Sequence, residues 1–324
     1  MSQIKMRYLT NEMVRELLSV PEALKIIEEV YRDHGKGKAI LSSPSSLGLK
    51  ALSAGASFKI KGAYVETPGA AGFRLLGTGT SHRGFCYLCD PKTSVPIGMV
   101  DESWQYLLRT GITAAISAKY LARPDSRILG LLGCGGIATP AMMGLKEIFP
   151  LRLVQVASRR KDSRERFARE MEETLGLNVI PVNSPREAVE NSDIIVTITD
   201  ADESLVSPDW LKQGAFVCSM GSGQELDPCL LDWADKFVVD DFEFCLVLGD
   251  VSAWVRKGLR SVEEIRTRLW AGIGDVVAGN KPGRTSENEN ILSIIQGMAS
   301  CDIALAKHVL DKAKQKGVGH FLNL

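Results

Sequence analysis

The stretch "LLGCGGIATP", residues 131–140, constrains this chain more than any other. It follows a short apolar run, "RILGLLG", and opens a run of helical character, "TPAMMGLKEIF". Gly133, Gly135 and Ala138 fit the pattern G-x-G-x-x-G/A between a strand and a helix. The first glycine permits a tight turn. The second lets the backbone approach a pyrophosphate, and the small third residue lets the helix pack on the strand. Gly136 and Ile137 complete the loop. The helix start then offers free N–H groups and partial positive charge to an anion. A glycine-rich turn with no ligand would look similar. The strand before and the helix after favour a dinucleotide seat.

The segments that follow repeat the same grammar. "LRLVQVASR", "NVIPVN", "DIIVTIT", "AFVCSMG" and "KFVVDD" read as strands, with "KDSRERFAREMEETLG" as a helix between the first two. Strands alternating with helices predict a parallel sheet with crossover connections. The end of the second strand selects the cofactor. An NAD site places Asp or Glu there for the ribose 2′-hydroxyl. This chain has Ser158, Arg159 and Arg160 instead, and Asp162 comes too late. Guanidinium groups match a 2′-phosphate in bidentate geometry, so the expected cofactor is NADP(H), with NAD(H) as the alternative. A solvated basic helix start is the plain competing explanation.

Upstream the pattern differs. Ser19 and Glu22 form a capping box, and Leu24, Ile27 and Tyr31 recur at helical spacing until Gly35. The opening segment as a whole reads as helical, and "ILSSPSSLGL" as a loop. Residues 57–100 contain "SFKIKGAYVE", "GFRLLGTGT", "GFCYLCD" and "PIGMVDES", short runs parted by Gly, Pro and Asp, as in an antiparallel sheet. "LLRTGITAAISAKYLA" is helical and stops before Pro124. "ENILSIIQGMASCDIALAKHVLDKAKQKG" reads as one long amphipathic helical region, with a break at Gly297.

Charge narrows the partner. Lys+Arg and Asp+Glu both number 39, so the formal charge of the 324-residue chain is zero. No net field favours nucleic acid or an anionic membrane, and a small molecule is expected. No apolar run reaches the ~18 residues of a membrane span. The start of the chain lacks a secretory pattern. Seven scattered cysteines and four histidines do not make a zinc site, and no metal is expected. Cys86 and Cys89 read as side chains of an apolar strand. Free thiols fit a reducing, cytoplasmic setting.

The ordered series "GFRLLG", "LCDPKTSVPIGMVD", "LLRTGITAAISAKYLAR", "LGLLGCGGIA", "ENSDIIVTIT", "PDWLKQGAFVCSMG", "ELDPCLLDWADKFVVDD", "GDVVAGNKPGRTS" and "QGMASCDIALA" resembles the ornithine cyclodeaminase/mu-crystallin family from about residue 10 onward. The resemblance implies an α/β fold with a Rossmann doubly wound nucleotide domain, residues 123–294. An α+β substrate and dimerisation domain, residues 1–122 with 295–324, would be completed by the C-terminal helix. It also implies a homodimer acting on small α-amino or α-imino acids through nicotinamide chemistry.

Several site residues follow from it. Arg109 matches the arginine that holds the substrate carboxylate, a role a guanidinium fork suits; a helix-start salt bridge is the alternative. Thr110 would lie near the cofactor phosphates. Thr197, Thr199, Met220, Gly221 and Gly297 match positions lining the cofactor or its nicotinamide.

Three departures bear on the reaction. Arg74 stands where the family pattern has a lysine that contacts substrate and moves protons. Arginine is a poor proton shuttle, because it stays protonated. Lys61 could serve, or could be an ordinary cross-strand lysine. Ser222 and Gly223 occupy the place of the cyclodeaminase aspartate, and Asp227 belongs to the "ELD" landmark. Ser45 and Ser46 stand near the place of a loop arginine. The expected activity is therefore NADP(H)-dependent reduction of a small α-imino acid, cyclic or open, or its reversal as an amino-acid dehydrogenase. The expected catalytic set is Arg109, Arg74 and Lys61. A cyclodeaminase-type ammonia lyase and a non-catalytic NADP(H)- or small-ligand-binding protein are the alternatives.

Overall fold

A computed structural model describes residues 5–78 and 83–323. The chain divides into two compact units. One runs to Arg109 and resumes at Met298; the other runs from Thr110 to Gly297. The division falls within the helix Ser103–Leu121, earlier than the expected boundary after residue 122.

The first unit is built on an eight-stranded sheet. Ala56–Val65, Ala70–Thr78, Arg83–Cys89 and Pro96–Asp101 form the expected antiparallel meander. Gly79 and Thr80, the end of the expected run "GFRLLGTGT", lie outside the described residues, as do the first four residues. The opening segment is not wholly helical. Lys5–Leu9 is a strand, parallel to Pro96–Asp101 and antiparallel to His320–Asn323. Met6 and Leu9 are its buried positions, and tertiary pairing overrides the local helical reading. Helices Asn11–Leu17 and Val20–Gly35 follow. The second starts on the predicted box, where the Glu22 carboxylate accepts from the Ser19 N–H at 3.0 Å and its hydroxyl at 2.7 Å.

The C-terminal helix Ala299–Lys316 belongs to this unit and packs across its sheet. The approach is close. A Cβ on Gly98 would meet the Leu310 side chain at 2.6 Å. Ala304, Leu305, Val309 and Ala313 are buried along the helix, and each such larger apolar side chain contributes about 1.5–3 kcal/mol.

The second unit carries an eight-stranded, wholly parallel sheet. Its order is Asn178–Pro181, Leu153–Ala157, Ile128–Leu132, Ile194–Thr197, Phe216–Ser219, Ile291–Ile294, Lys236–Val239 and Leu269–Gly272. This is the doubly wound arrangement, with its switch point at the strand that precedes the glycine loop. All six strands expected here are present. Ile291–Ile294 corrects the expectation of one long terminal helix, because "ILSI" is a fully buried strand between two others. A short apolar run reads alike as helix or buried strand. The core includes Leu132, Val217, Phe237, Leu292 and Trp254, whose indole N–H donates to the Leu226 carbonyl.

Candidate active site

Residues of the glycine loop line a cleft of about 900 Å³ in the second unit. Gly133 has φ +110°, and a Cβ there would strike the Ile198 carbonyl at 2.3 Å, so only glycine can make this turn. Gly135 differs. A Cβ on it would meet nothing within 4 Å, which leaves an open face above the backbone. Gly135 and Gly136 are exposed, and the helix Ala138–Ile148 begins with no side-chain cap on its first N–H groups. That combination fits the pyrophosphate of a dinucleotide. Ser158, Arg159 and Arg160 line the same cleft at the end of Leu153–Ala157. Both arginines are exposed, and neither forms an ion pair among the described residues. Behind them Arg164 is buried. It donates to the Ser158 carbonyl at 3.2 Å and to Asn183 Oδ1 at 2.8 Å, which fixes the loop.

Thr197, Thr199 and Gly221 converge on a residue that sequence reasoning did not select. Glu225 Oε2 accepts from the Thr197 hydroxyl at 2.7 Å, the Ser219 hydroxyl at 3.2 Å and the Gly221 N–H at 2.8 Å. Its Oε1 accepts from the Thr199 N–H at 2.5 Å. Asp250 supports it. Asp250 Oδ1 accepts from the Glu225 and Leu226 N–H groups at 2.7 and 2.8 Å, and its Oδ2 lies 2.5 Å from Ser219 Oγ. Burial pushes the Glu225 carboxyl up despite these hydrogen bonds. Burial and the neighbouring Glu225 push Asp250 up to about 7. Met220 is buried beside this network, its N–H on the Thr197 carbonyl. Gly297, at φ +89°, donates to Asp240 Oδ2 at 2.5 Å. Thr110 is buried in the helix Ser103–Leu121.

In the first unit, the side chains of Arg74 and Arg109 meet around two acids. Arg74 Nη2 lies 2.6 Å from Glu102 Oε1, and its Nη1 lies 3.2 Å from Asp302 Oδ2. Arg109 Nε lies 2.8 Å from Asp302 Oδ1. Gln105 Nε2 donates to the Asp302 carbonyl at 2.8 Å, and Cys86 Sγ lies 3.3 Å from Glu102 Oε2. Tyr106 lies under both guanidinium groups, 5.1 Å from each. Burial opposes the charge on Arg74, but Asp302 and Glu102 outweigh it and raise its pKa. For Arg109, Asp302 likewise outweighs burial. Burial raises Glu102 even against Arg74, and raises the Cys86 thiol with Glu102 and Asp302 adding to it.

The outcome differs for the three expected catalytic residues. Arg74 has both terminal nitrogens engaged by acids. Arg109 spends only Nε on Asp302, and its buried Nη1 has no partner among the described residues. Lys61 is buried and sits directly across from Arg74 in the strand register. Glu102, Gln105 and Asp302 were missed. Gln105 and Arg109 share one face of a mostly apolar helix, Glu102 stands just before its start, and Asp302 is a lone charge in "ASCDIALA". Polar residues at core-facing positions were the available signal.

A model of the ornithine cyclodeaminase/mu-crystallin family matches residues 5–317. An alanine dehydrogenase of Archaeoglobus fulgidus is 31% identical over 323 residues, 96% of each chain. An archaeal alanine dehydrogenase dimer with bound NAD superposes with TM-score 0.90 at 30% identity, covering 98% of this chain and 99% of that one. A Thermococcus litoralis Delta(1)-pyrroline-2-carboxylate reductase bound to NADH and L-proline gives 0.89 at 27%, covering 97% and 99%. With these similarities along nearly its whole length, the chain belongs to the ornithine cyclodeaminase/mu-crystallin family.

Proposed function

We propose that the protein is an NADP(H)-dependent reductase of small α-imino acids, which in reverse acts as an α-amino-acid dehydrogenase. The observation that carries this reading is Arg109, a buried guanidinium with an uncommitted Nη1. Such a group holds the carboxylate of a small acid in a fixed orientation. When bound, the reduced nicotinamide supplies hydride to the C=N carbon beside that carboxylate, and the C=N π pair becomes the nitrogen lone pair.

The chain's own work is orientation. Arg109 grips the carboxylate, and holding the acceptor carbon in place accounts for a large share of the rate. The imine enters protonated, so no strong acid is required beside it. That tolerates an arginine at position 74. No carboxylate stands at Ser222 or Gly223 to act on a substrate amine, and the Glu225 carboxylate nearby is taken up by its own hydrogen bonds. The lyase reading has no support in this geometry.

The preference for NADP(H) over NAD(H) rests on Arg159 and Arg160 at the cleft and on the absence of an acid at their position. The homodimer rests on an apolar sheet surface of the first unit. Leu47, Leu49, Phe58 and Ile60 are exposed there, 60%, 65%, 39% and 38% respectively. Apolar patches of this kind are covered in stable assemblies, and sedimentation velocity reads the state directly. No helix among the described residues is long and apolar enough to cross a membrane, and all seven cysteines are unpaired, as suits a cytoplasmic protein.

The test is spectrophotometric. The protein is mixed with NADPH or NADH and a panel of cyclic imino acids, or of α-keto acids with ammonia or methylamine. Loss of reduced-nicotinamide absorbance, faster with NADPH, is expected with at least one member. Silence across the whole panel with both cofactors overturns the proposal.

A further inference from the structure

We propose that Asp302 is a positioning residue for substrate recognition, forcing the substrate carboxylate to meet Arg109 end-on through Nη1 and Nη2. The proposal rests on the reading of Arg109 given above and adds to it a residue and a direction of approach.

A guanidinium offers a carboxylate two bidentate edges. One is formed by Nε with a terminal nitrogen, the other by the two terminal nitrogens. Asp302 Oδ1 occupies Nε of Arg109 at 2.8 Å, so the first edge is taken by the protein. The unpartnered Nη1 lies on the second edge. Asp302 is itself fully buried, and its backbone carbonyl accepts from Gln105, one helical turn before Arg109. The acid is therefore fixed to the same helix face as the arginine that it orients.

A carboxylate on Arg109 alone would cancel the charge that must attract the substrate. Arg74 prevents this. It takes the other oxygen of Asp302 at 3.2 Å and is balanced in turn by Glu102 at 2.6 Å. Glu102, Arg74, Asp302 and Arg109 thus form an alternating chain of acids and bases. Asp302 divides its charge between two guanidinium groups, and Arg109, at the end of the chain, keeps attraction for one further anion. This gives Arg74 a role that needs no proton transfer. Its planar fork reaches two acids at once, which a lysine ammonium does with less geometric definition.

The test is Asp302→Asn in the full-length protein, assayed with an imino acid that the wild type reduces. KM for that acid should rise about tenfold or more, while kcat stays within about threefold and the NADPH dissociation constant is unchanged. A merely structural role would lower the folded fraction, which reduces apparent kcat and leaves KM alone; that result overturns the proposal. If the variant does not fold, the wild type decides. A crystal structure with NADP+ and pyrrole-2-carboxylate should place the ligand carboxylate on Nη1 and Nη2 with Asp302 still on Nε. A ligand seated on the Nε edge, or Asp302 displaced from Arg109, overturns it. Wild-type turnover with an unchanged variant KM removes this proposal alone, whereas an inert wild type removes the functional reading as well.

Discussion

Both units bury a pair of carboxylates, and they compensate them differently. In the first, Glu102 and Asp302 face guanidinium groups. In the second, Glu225 and Asp250 form no ion pair among the described residues; backbone N–H groups and the hydroxyls of Thr197 and Ser219 stabilise them instead. In the cation-paired cluster the acids hold the charge on Arg74 and Arg109 against burial, although burial still raises Glu102. A cluster held by dipoles can also hold a proton, and burial raises both of its acids. The first arrangement suits gripping a charged substrate. The second suits holding the ends of two strands, Ile194–Thr197 and Phe216–Ser219, at a fixed spacing.

The largest effect is expected from breaking the cation side. Arg109→Ala should lower kcat/KM for the imino acid by about 10³-fold, since it removes the proposed carboxylate anchor. Steady-state kinetics that show full activity would remove the anchor from the site.

The carboxylate pair should show itself in pH dependence. Asp250 is pushed from its ordinary 3.8 up to about 7. Between those values the folded protein holds a proton that the unfolded chain has released. Its contribution to stability is therefore complete below about pH 4 and is lost as pH rises through about 7. The unfolding midpoint should fall over that window. Asp250→Asn retains an acceptor for the two N–H groups and should flatten the fall. Thermal unfolding from about pH 5 to about pH 8 checks this, and an equal slope in both proteins counts against the raised Asp250 carboxyl as its source.

A smaller change is expected at cations with no acid opposite them. Arg159→Asp should shift the ratio of NADPH to NADH affinity by about tenfold or more toward NADH, because it removes a phosphate partner and supplies the usual ribose acceptor. Fluorescence titration of both cofactors reads the ratio, and an unchanged ratio ends the NADP(H) assignment.

The two regions also differ in how much of them the sequence disclosed. The nucleotide unit was legible because its signals are local. Gly133, Gly135 and Ala138 lie within six positions, and each strand is a contiguous apolar run. Its one missed central strand, Ile291–Ile294, is too short for periodicity to separate strand from helix. The polar cluster was only half legible. Arg74 and Arg109 stood out through family likeness, but their acids come from a strand end and a distant helix, and nothing in spacing connects position 74 with 302. Strands Lys5–Leu9 and His320–Asn323 were missed for the same reason, since they are defined by pairing with distant segments, the first with both Pro96–Asp101 and the second. Glu225 was within the "ELD" landmark yet passed over, because its importance lies in four hydrogen bonds from two strand ends rather than in any local pattern.

The return of the C-terminal helix to the first sheet has a consequence for synthesis. Domains generally form as they emerge from the ribosome, N-terminal parts first. Here Arg74 and Arg109 are made early, and Asp302 is made only after the whole parallel sheet. Until then Arg109 lacks the acid that orients it and Arg74 has only Glu102. The Arg74–Asp302–Arg109 cluster can therefore close only after the whole parallel sheet has been made. A chain that ended within the second unit would carry the glycine-loop residues without Asp302.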